Sequence, residues 1–488
     1  MLFHTWIFLV FFLVTYPVYL RVKSTRLQDP WLLIVSYVFY GWWSPFYLVL
    51  ILVSTAIDYF AVIGMSRTRR RGLWLVVSLT SNLLLLGSFK YGDFLAENLS
   101  ALLRAVHIPL AFGPPGLLLP VGISFYTFQS MSYTIDYYRG HIPREPSFIR
   151  FAAFVSLFPQ LVAGPIERAS HLLPQLRQPD RITVTHVTDG LSLFVLGLFK
   201  KVALADYLGL YVDRIYDAPA AHEGPALLMA TFAFAWQIYF DFSGYTDMAR
   251  GIARAMGFDL MRNFDSPYLA TGLGDFWRRW HISLSTWFRD YVYIPLGGNR
   301  GGTLATYRNL VLTMLLAGLW HGAAWTFVIW GAMHAAGRVL TRELERTWLY
   351  RDVVPTIVKQ LLVFAFVLLT WVFFRAHSLA DAGLILSRIF QPRWVDPGFP
   401  ALALALILAV WIYQYMRESG AASPQPSSTG PQVPDQVPVA AKAAPKRTAP
   451  EWVAAGRAAA RRAAAVAMLL YLALVPTPQD QPFIYFQF

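Results

Sequence analysis

Two of the ten histidines in the 488-residue chain stand where an ionisable ring is costly. His321 follows a nearly uncharged run at 309–320 and ends AGLWH, while His281 stands in WRRWHISLSTW. A titratable side chain at membrane depth is expensive and usually functional. Imidazole exchanges a proton near neutral pH, so the chemistry suggested is general acid–base work on a membrane-embedded substrate. A neutral His321 bonded to a backbone carbonyl is the competing reading, with Gly318 and Gly322 serving close helix approach or a broken helix. Around His281, the arginines Arg278, Arg279 and Arg289 create a positive field, suited equally to lipid headgroups and to a phosphate-like anion. Asp290 ends the same segment and is taken as site-supporting. His334 lies on an apolar stretch beside small residues and reads as a packing histidine. A zinc site built from His281, His321 and His334 lacks any ligand spacing such as His-Glu-x-x-His, and no metal is assigned.

Further polar islands punctuate the apolar sequence. TFAFAWQIYFDFSGYTDMARG carries Gln237, Asp241, Ser243, Tyr245 and Asp247, and FPQLVAGPIERAS carries Gln160, Glu167 and Arg168. Asp241 and Asp247 are expected to pair with Arg278 or Arg279 as a structural ion pair. Polar residues from Ser124 to Asp136 stud LPVGISFYTFQSMSYTIDYYRG so densely that the segment must face protein or a water-filled cavity.

These islands belong to a chain that is 56% hydrophobic and 14% charged, against about 25% charged in soluble domains. The composition predicts an all-α polytopic membrane protein with the lipid bilayer as solvent. Absence of cysteine excludes disulfides, thiolate metal sites and a cysteine nucleophile. The net charge of +13 lies in short loops between apolar runs, where orientation in the membrane explains it, and nucleic acid is not expected as a partner.

Positive loops set the expected topology. Residues 2–20 form a retained first span, and Arg21, Lys23 and Arg26 place the following loop in the cytoplasm and the N-terminus outside. A hairpin interrupted at Ser44-Pro45 returns the chain to Arg67–Arg71, residues 73–89 cross again, and 91–115 form a partly amphipathic extracytoplasmic connection. Ten to twelve spans are expected in all, several of them short or re-entrant. The membrane core is placed at 1–417. A Pro/Ala-rich cytoplasmic linker expected to be disordered occupies 418–450, and a last span with an aromatic tail occupies 451–488.

The motifs FWRRWHISLSTWFRDYVYIPLGGNR, TYRNL and GLWHGA resemble the membrane-bound O-acyltransferase family, and within it the bacterial branch that includes the alginate O-acetylation membrane protein. LPVGISFYTFQSMSYTIDYYRG, FPQLVAGPIER, YFDFSGYTDMARG and the terminal FIYFQF resemble the same branch. The resemblance implies a ring of membrane helices around a tunnel and an inner-membrane enzyme that acetylates an exported polysaccharide. His321 matches the family's catalytic histidine and His281 the second polar residue of the branch. The donor implied is acetyl-CoA or another acyl thioester, with no tightly bound cofactor, Arg278 and Arg279 favouring its anionic part. A periplasmic or membrane-anchored acetyltransferase is the expected partner. Because the thioester is cytoplasmic and the polymer outside, the tail is the expected bridge. Tyr485 is the only hydroxyl in the last eleven residues, and its motif resembles the tail of a small partner protein in teichoic acid D-alanylation. That makes Tyr485 a candidate acyl carrier; a plain interfacial anchor competes. D-alanyl transfer, a transporter and a non-catalytic scaffold of an export complex stay open as alternatives.

Overall fold

The computed structural model describes residues 1–391, 393, 395–421, 451–474 and 483–484. The linker at 422–450 and Tyr485 lie outside the described residues. Two compact units are present: Met1–Phe399 with Thr477–Phe488, and Pro400–Pro476. The second contains the helices Ala401–Ala421 and Glu451–Leu474, so the helix begun at Ala401 runs past the expected boundary at 418. Everything below concerns the first unit.

Every regular element among the described residues is helical. Five helices are long and apolar enough to cross a bilayer, including Arg71–Ala105, Gly224–Ala255 and Thr356–Arg375, and Trp6–Val22 is a shorter apolar helix. Other apolar runs form short buried pieces. Phe148–Ser156 is a single nine-residue helix, too short to span, with Phe151 to Ser156 buried. Pro45 opens a turn, Pro45–Tyr47, between Gln28–Gly41 and Leu48–Arg67, because proline fits the first helical position but cannot continue an existing ladder.

One connection departs from expectation. Residues 91–105 continue the preceding span as the 35-residue helix Arg71–Ala105, about 50 Å long at 1.5 Å per residue. Gly92 costs helix stability without ending it, and Phe94, Leu95, Leu99, Leu102 and Leu103 keep apolar side chains coming at helical spacing. The charged residues Lys90, Asp93 and Glu97 suggest a connection when read as composition, whereas the helix carries them.

The segment rich in hydroxyls forms Ile123–Tyr138, and nearly all of its side chains are buried. Gly122 starts it in the left-handed region at φ 78°, where an added Cβ would lie 2.7 Å from the Leu161 carbonyl oxygen. Asp58, on Leu48–Arg67, is the hub between three helices: it accepts from Ser78 at 2.6 Å, from Asn82 at 2.8 and 3.0 Å, and from Ser130. Hydrogen-bond donors thus surround a carboxylate that would otherwise be intolerable in an apolar interior.

Gly224–Ala255 is the most deeply enclosed long helix. It packs against Val184–Phe199 through two glycine pairs. A Cβ on Gly197 would lie 2.4 Å from the Gly244 oxygen, and one on Gly251 would lie 2.6 Å from the Gly190 oxygen. Both helices place their glycines seven residues apart, two turns along one face, which lets the backbones touch. Gly197→Leu should therefore separate the pair and lower the midpoint of thermal unfolding in detergent, at a cost on the order of 1–3 kcal/mol or more. Gly87→Ala, where a Cβ meets nothing within 4 Å, should leave the midpoint unchanged or higher. Equal midpoints for the two variants would show that the crossing is not close-packed.

Candidate active site

His321 is the last residue of the helix Gly302–His321, and 4% of it is exposed. The chain turns there because Gly322 is extended and Trp325–Leu344 starts at once in the reverse direction. Each flanking glycine has a steric reason. A Cβ at Gly318 would lie 2.3 Å from the Phe327 oxygen, and one at Gly322 would lie 2.0 Å from a ring carbon of Phe327.

A helix end leaves its last carbonyls without intrahelical partners. Here the long helix Arg71–Ala105 supplies them. Tyr91 Oη donates to the Leu319 oxygen at 2.8 Å, and Lys90 Nζ donates to the oxygens of Trp320 and His321 at 2.6 and 3.0 Å. Lys90 Nζ thereby sits at the negative end of the macrodipole of that helix. Lys90 and His321 line the same pocket, together with Pro120, Gly122, Phe125 and Trp320. Sequence reasoning missed Lys90, whose proximity to His321 is a tertiary contact between the helices Arg71–Ala105 and Gly302–His321.

His281 reaches the same place by a different device. It links the short helices Leu273–Arg279 and Ile282–Phe288 at φ 43°, ψ 55°, a left-handed conformation uncommon for a residue with a side chain. The surrounding bonds enforce it. Ile282 N donates to the Asn263 oxygen at 3.0 Å, and Ser283 donates to Asn263 Oδ1 from both its N at 3.2 Å and its Oγ at 2.7 Å. Ser283 Oγ in turn accepts from Ile166 N at 3.0 Å, within the FPQLVAGPIER motif. The result is an imidazole with 0% exposure, its ring 4.6 Å from Phe242, 5.8 Å from Trp320 and 6.5 Å from His321. A direct bond between two imidazoles would hold their centroids within roughly 6 Å. The two rings therefore lie beside each other, and of the two His321 lines the pocket.

His334 stands apart. Trp330 packs against both His321 and His334, at 5.1 and 4.6 Å. Thr370 Oγ1 donates to the Val367 oxygen at 2.8 Å and lies 3.1 Å from His334 Nε2. With the hydroxyl proton committed, His334 Nε2 must carry the hydrogen and donate. His334 is thus bonded through Nε2 and packed among aromatic rings, and among the described residues no group of three His, Asp or Glu is arranged to hold a metal.

The acidic and basic candidates pair differently from expectation. Asp241 binds Lys201 at 2.9 Å and Asp247 binds Lys200 at 2.7 Å, so neither pairs with Arg278 or Arg279. Those two arginines share Asp275, three and four residues earlier on the same helix, at 3.4 and 3.0 Å, and the Arg278 side chain is 72% exposed. Local pairs win because the partner is already on the same helical face. Asp290 lies on the π-helical segment Arg289–Tyr293, 3.6 Å from Arg168 and 2.7 Å from Arg289. Glu167 is fully buried, accepting from Met261 N at 2.6 Å and bonding His171 Nδ1 at 2.7 Å. That bond to Glu167 raises the pKa of His171 above the ordinary imidazole value.

The model of the MBOAT, membrane-bound O-acyltransferase family matches residues 138–380, which include His281 and His321 but not Lys90. The chain is 42% identical to a Pseudomonas aeruginosa protein named probable alginate O-acetylase AlgI over 395 residues, 80% of this chain and 75% of that one. It is 37% identical to the peptidoglycan O-acetyltransferase of Helicobacter pylori, covering 75% of this chain and 74% of the relative. Similarity to the teichoic acid D-alanyltransferase of Streptococcus thermophilus is 28% and covers 48% of this chain and 59% of the relative.

The Lys90 clamp is directly testable. Lys90→Met removes both bonds to the end of the His321 helix, each worth about 1.5–3 kcal/mol when the donor is charged. Hydrogen–deuterium exchange at the amides of residues 318–324 should accelerate by roughly tenfold or more, while Lys90→Arg should retain most of the protection. Unchanged exchange in Lys90→Met would show that the clamp does not hold this turn.

Proposed function

The chain belongs to the membrane-bound O-acyltransferase family, and from that premise we propose that it takes an acetyl group from a cytoplasmic thioester and passes it across the inner membrane for O-acetylation of an exported polysaccharide. The observation that carries this reading is the pair His281 and His321, buried with rings 6.5 Å apart, with His321 lining a pocket. Relatives named for O-acetylation of alginate and peptidoglycan cover three quarters or more of the chain, whereas the D-alanyl relative covers less than half. Coverage therefore favours acetyl and a polysaccharide over D-alanine and teichoic acid. The helices are arranged on this reading as a ring of ten to twelve crossings around a tunnel, with both chain ends extracytoplasmic.

His321 is the general base. It takes the proton of the attacking hydroxyl as oxygen bonds to the thioester carbonyl carbon, and it returns that proton to the thiolate as the carbon–sulfur bond breaks. An ester and a free thiol are the products. His281 orients the acyl group or stabilises the oxyanion, in a setting walled by Phe242, Phe125 and Trp320, where low polarity strengthens such contacts. Arg278 is exposed enough to meet the anionic part of a donor.

The first acceptor on this reading is the tail hydroxyl of Tyr485. A phenol leaves with a pKa of about 10, so its ester remains activated for onward transfer to the serine of a periplasmic or membrane-anchored acetyltransferase. Support comes from the two described residues before it, Phe483 and Ile484, which are 1% and 2% exposed.

His321→Ala should insert and fold, with acyl transfer reduced by roughly 10²–10⁴, as loss of an acid–base group implies. Purified variant turning over acetyl-CoA at the wild-type rate would overturn the assignment. Tyr485→Phe keeps the aromatic ring and removes only the hydroxyl, and polymer acetylation should vanish. Normal acetylation in that variant would return the tail to the role of an anchor.

A further inference from the structure

We propose that the buried cluster Lys201, Asp206 and Asp241 is the receptor for the chain's own C-terminal tail. Lys201 Nζ lies 2.8 Å from Asp206 and 2.9 Å from Asp241, with all three side chains almost completely enclosed. One ammonium faces two carboxylates, so the cluster retains acceptor capacity that a further donor can fill. Ile484 N fills it, donating to Asp241 Oδ2 at 2.6 Å.

The local fold explains why this position is available. Lys201 lies in the π-helical segment Lys200–Ala205 between Val184–Phe199 and Asp206–Tyr216. Such a segment widens the turn and re-aims side chains. Lys200 and Lys201 consequently reach two different carboxylates of Gly224–Ala255, Asp247 and Asp241. A lone carboxylate at Asp241 would be costly to bury, and Lys201 offsets part of that cost while leaving Oδ2 to accept from the tail.

Recognition has an apolar half one turn further along the same face. Phe483 packs 4.9 Å from Tyr245 and 6.2 Å from Phe242. Asp241 and Tyr245 are four residues apart, so a single helical face reads one backbone N–H and one aromatic ring. The polar contact is to the main chain of residue 484, so a change of side chain there leaves that hydrogen bond available, while residue 483 fills the aromatic slot. Phe242 also contacts His281 at 4.6 Å, which leaves a single ring between the docked tail and the histidine pair. Asp241 and Lys201 are thus positioning residues, distinct from the groups that handle the proton.

This docking deepens the acyl-transfer reading, yet its measurement does not depend on transfer. The chain has no cysteine, so Ile484→Cys introduces a single thiol while keeping the backbone N–H. In purified full-length protein in detergent, N-ethylmaleimide should label that thiol slowly. Adding Asp241→Ala should raise the labelling rate by about tenfold or more, the factor implied by losing one charge-assisted hydrogen bond. Asp241→Asn keeps an acceptor oxygen without the charge and should fall between; it carries the test if the alanine variant does not fold. A second reporter, Ala153→Cys, sits in a core segment away from the tail with Ala153 at 0% exposure, and it should stay shielded when Asp241 is changed, separating tail release from general loosening. Fast labelling at position 484 with Asp241 intact, or labelling indifferent to Asp241, would overturn the docking. A shielded tail in a protein whose Tyr485→Phe variant acetylates normally would leave the docking standing and remove the carrier role.

Discussion

A helix that ends inside an apolar interior exposes carbonyl oxygens that water cannot reach, and the candidate site depends on how the last three of Gly302–His321 are satisfied. Tyr91 and Lys90 take them in order, at Leu319, Trp320 and His321. Unsatisfied backbone groups in such surroundings cost several kcal/mol each, so the helix can stop at the histidine only because the second helix arrives with donors. The helix begun at Arg71 must therefore reach Lys90 and Tyr91, its twentieth and twenty-first residues, and Gly318 and Gly322 must be bare so that the return helix Trp325–Leu344 can close on the same end. His321 is held by its backbone, which leaves the ring to face the pocket.

The same accounting governs the other polar groups of the interior. Asp58 is met by hydroxyls and an amide, Asp241 by Lys201 and a tail amide, and His334 by a threonine whose own proton is already spoken for. His281 is the exception in backbone, since its left-handed conformation has to be imposed by Asn263 and Ser283. Strain of about 1–3 kcal/mol at such a residue persists only where the surroundings over-determine it. Straight helical continuation from Arg279 to Ser283 would point residue 281 along the surface of one continuous helix; the break turns it inward.

Much of this was legible in the sequence because the chemistry-bearing residues violate their surroundings. The hydroxyl-rich segment before Asp136 and the break at Ser44-Pro45 read correctly, since each is a local departure from a membrane pattern, and His321 stands out in the sequence for the same reason. Lys90 was not legible, because its value lies in a contact 230 positions along the chain, which no local pattern announces. The pairing of Arg278 and Arg279 was readable but misassigned: Asp275 lies three and four residues before them, and proximity on one helix outweighs a distant buried partner. Asp241 was found as an unusual charge, while its partner Lys201 lay in a segment whose π-helical turn no periodicity announces.

Two aromatic rings from different parts of the fold meet at His281. Phe125 lines the pocket shared by Lys90 and His321, and its ring stacks 6.3 Å from His281. Phe242 touches the docked tail through Phe483, and its ring meets His281 at 4.6 Å from another direction. An imidazole packed between two aromatic rings is held by contact on both sides. The position of His321 is set through its own carbonyl by the clamp from Arg71–Ala105, and that of His281 by the bonds of Ile282 and Ser283 to Asn263, so separate parts of the chain place the two rings beside each other.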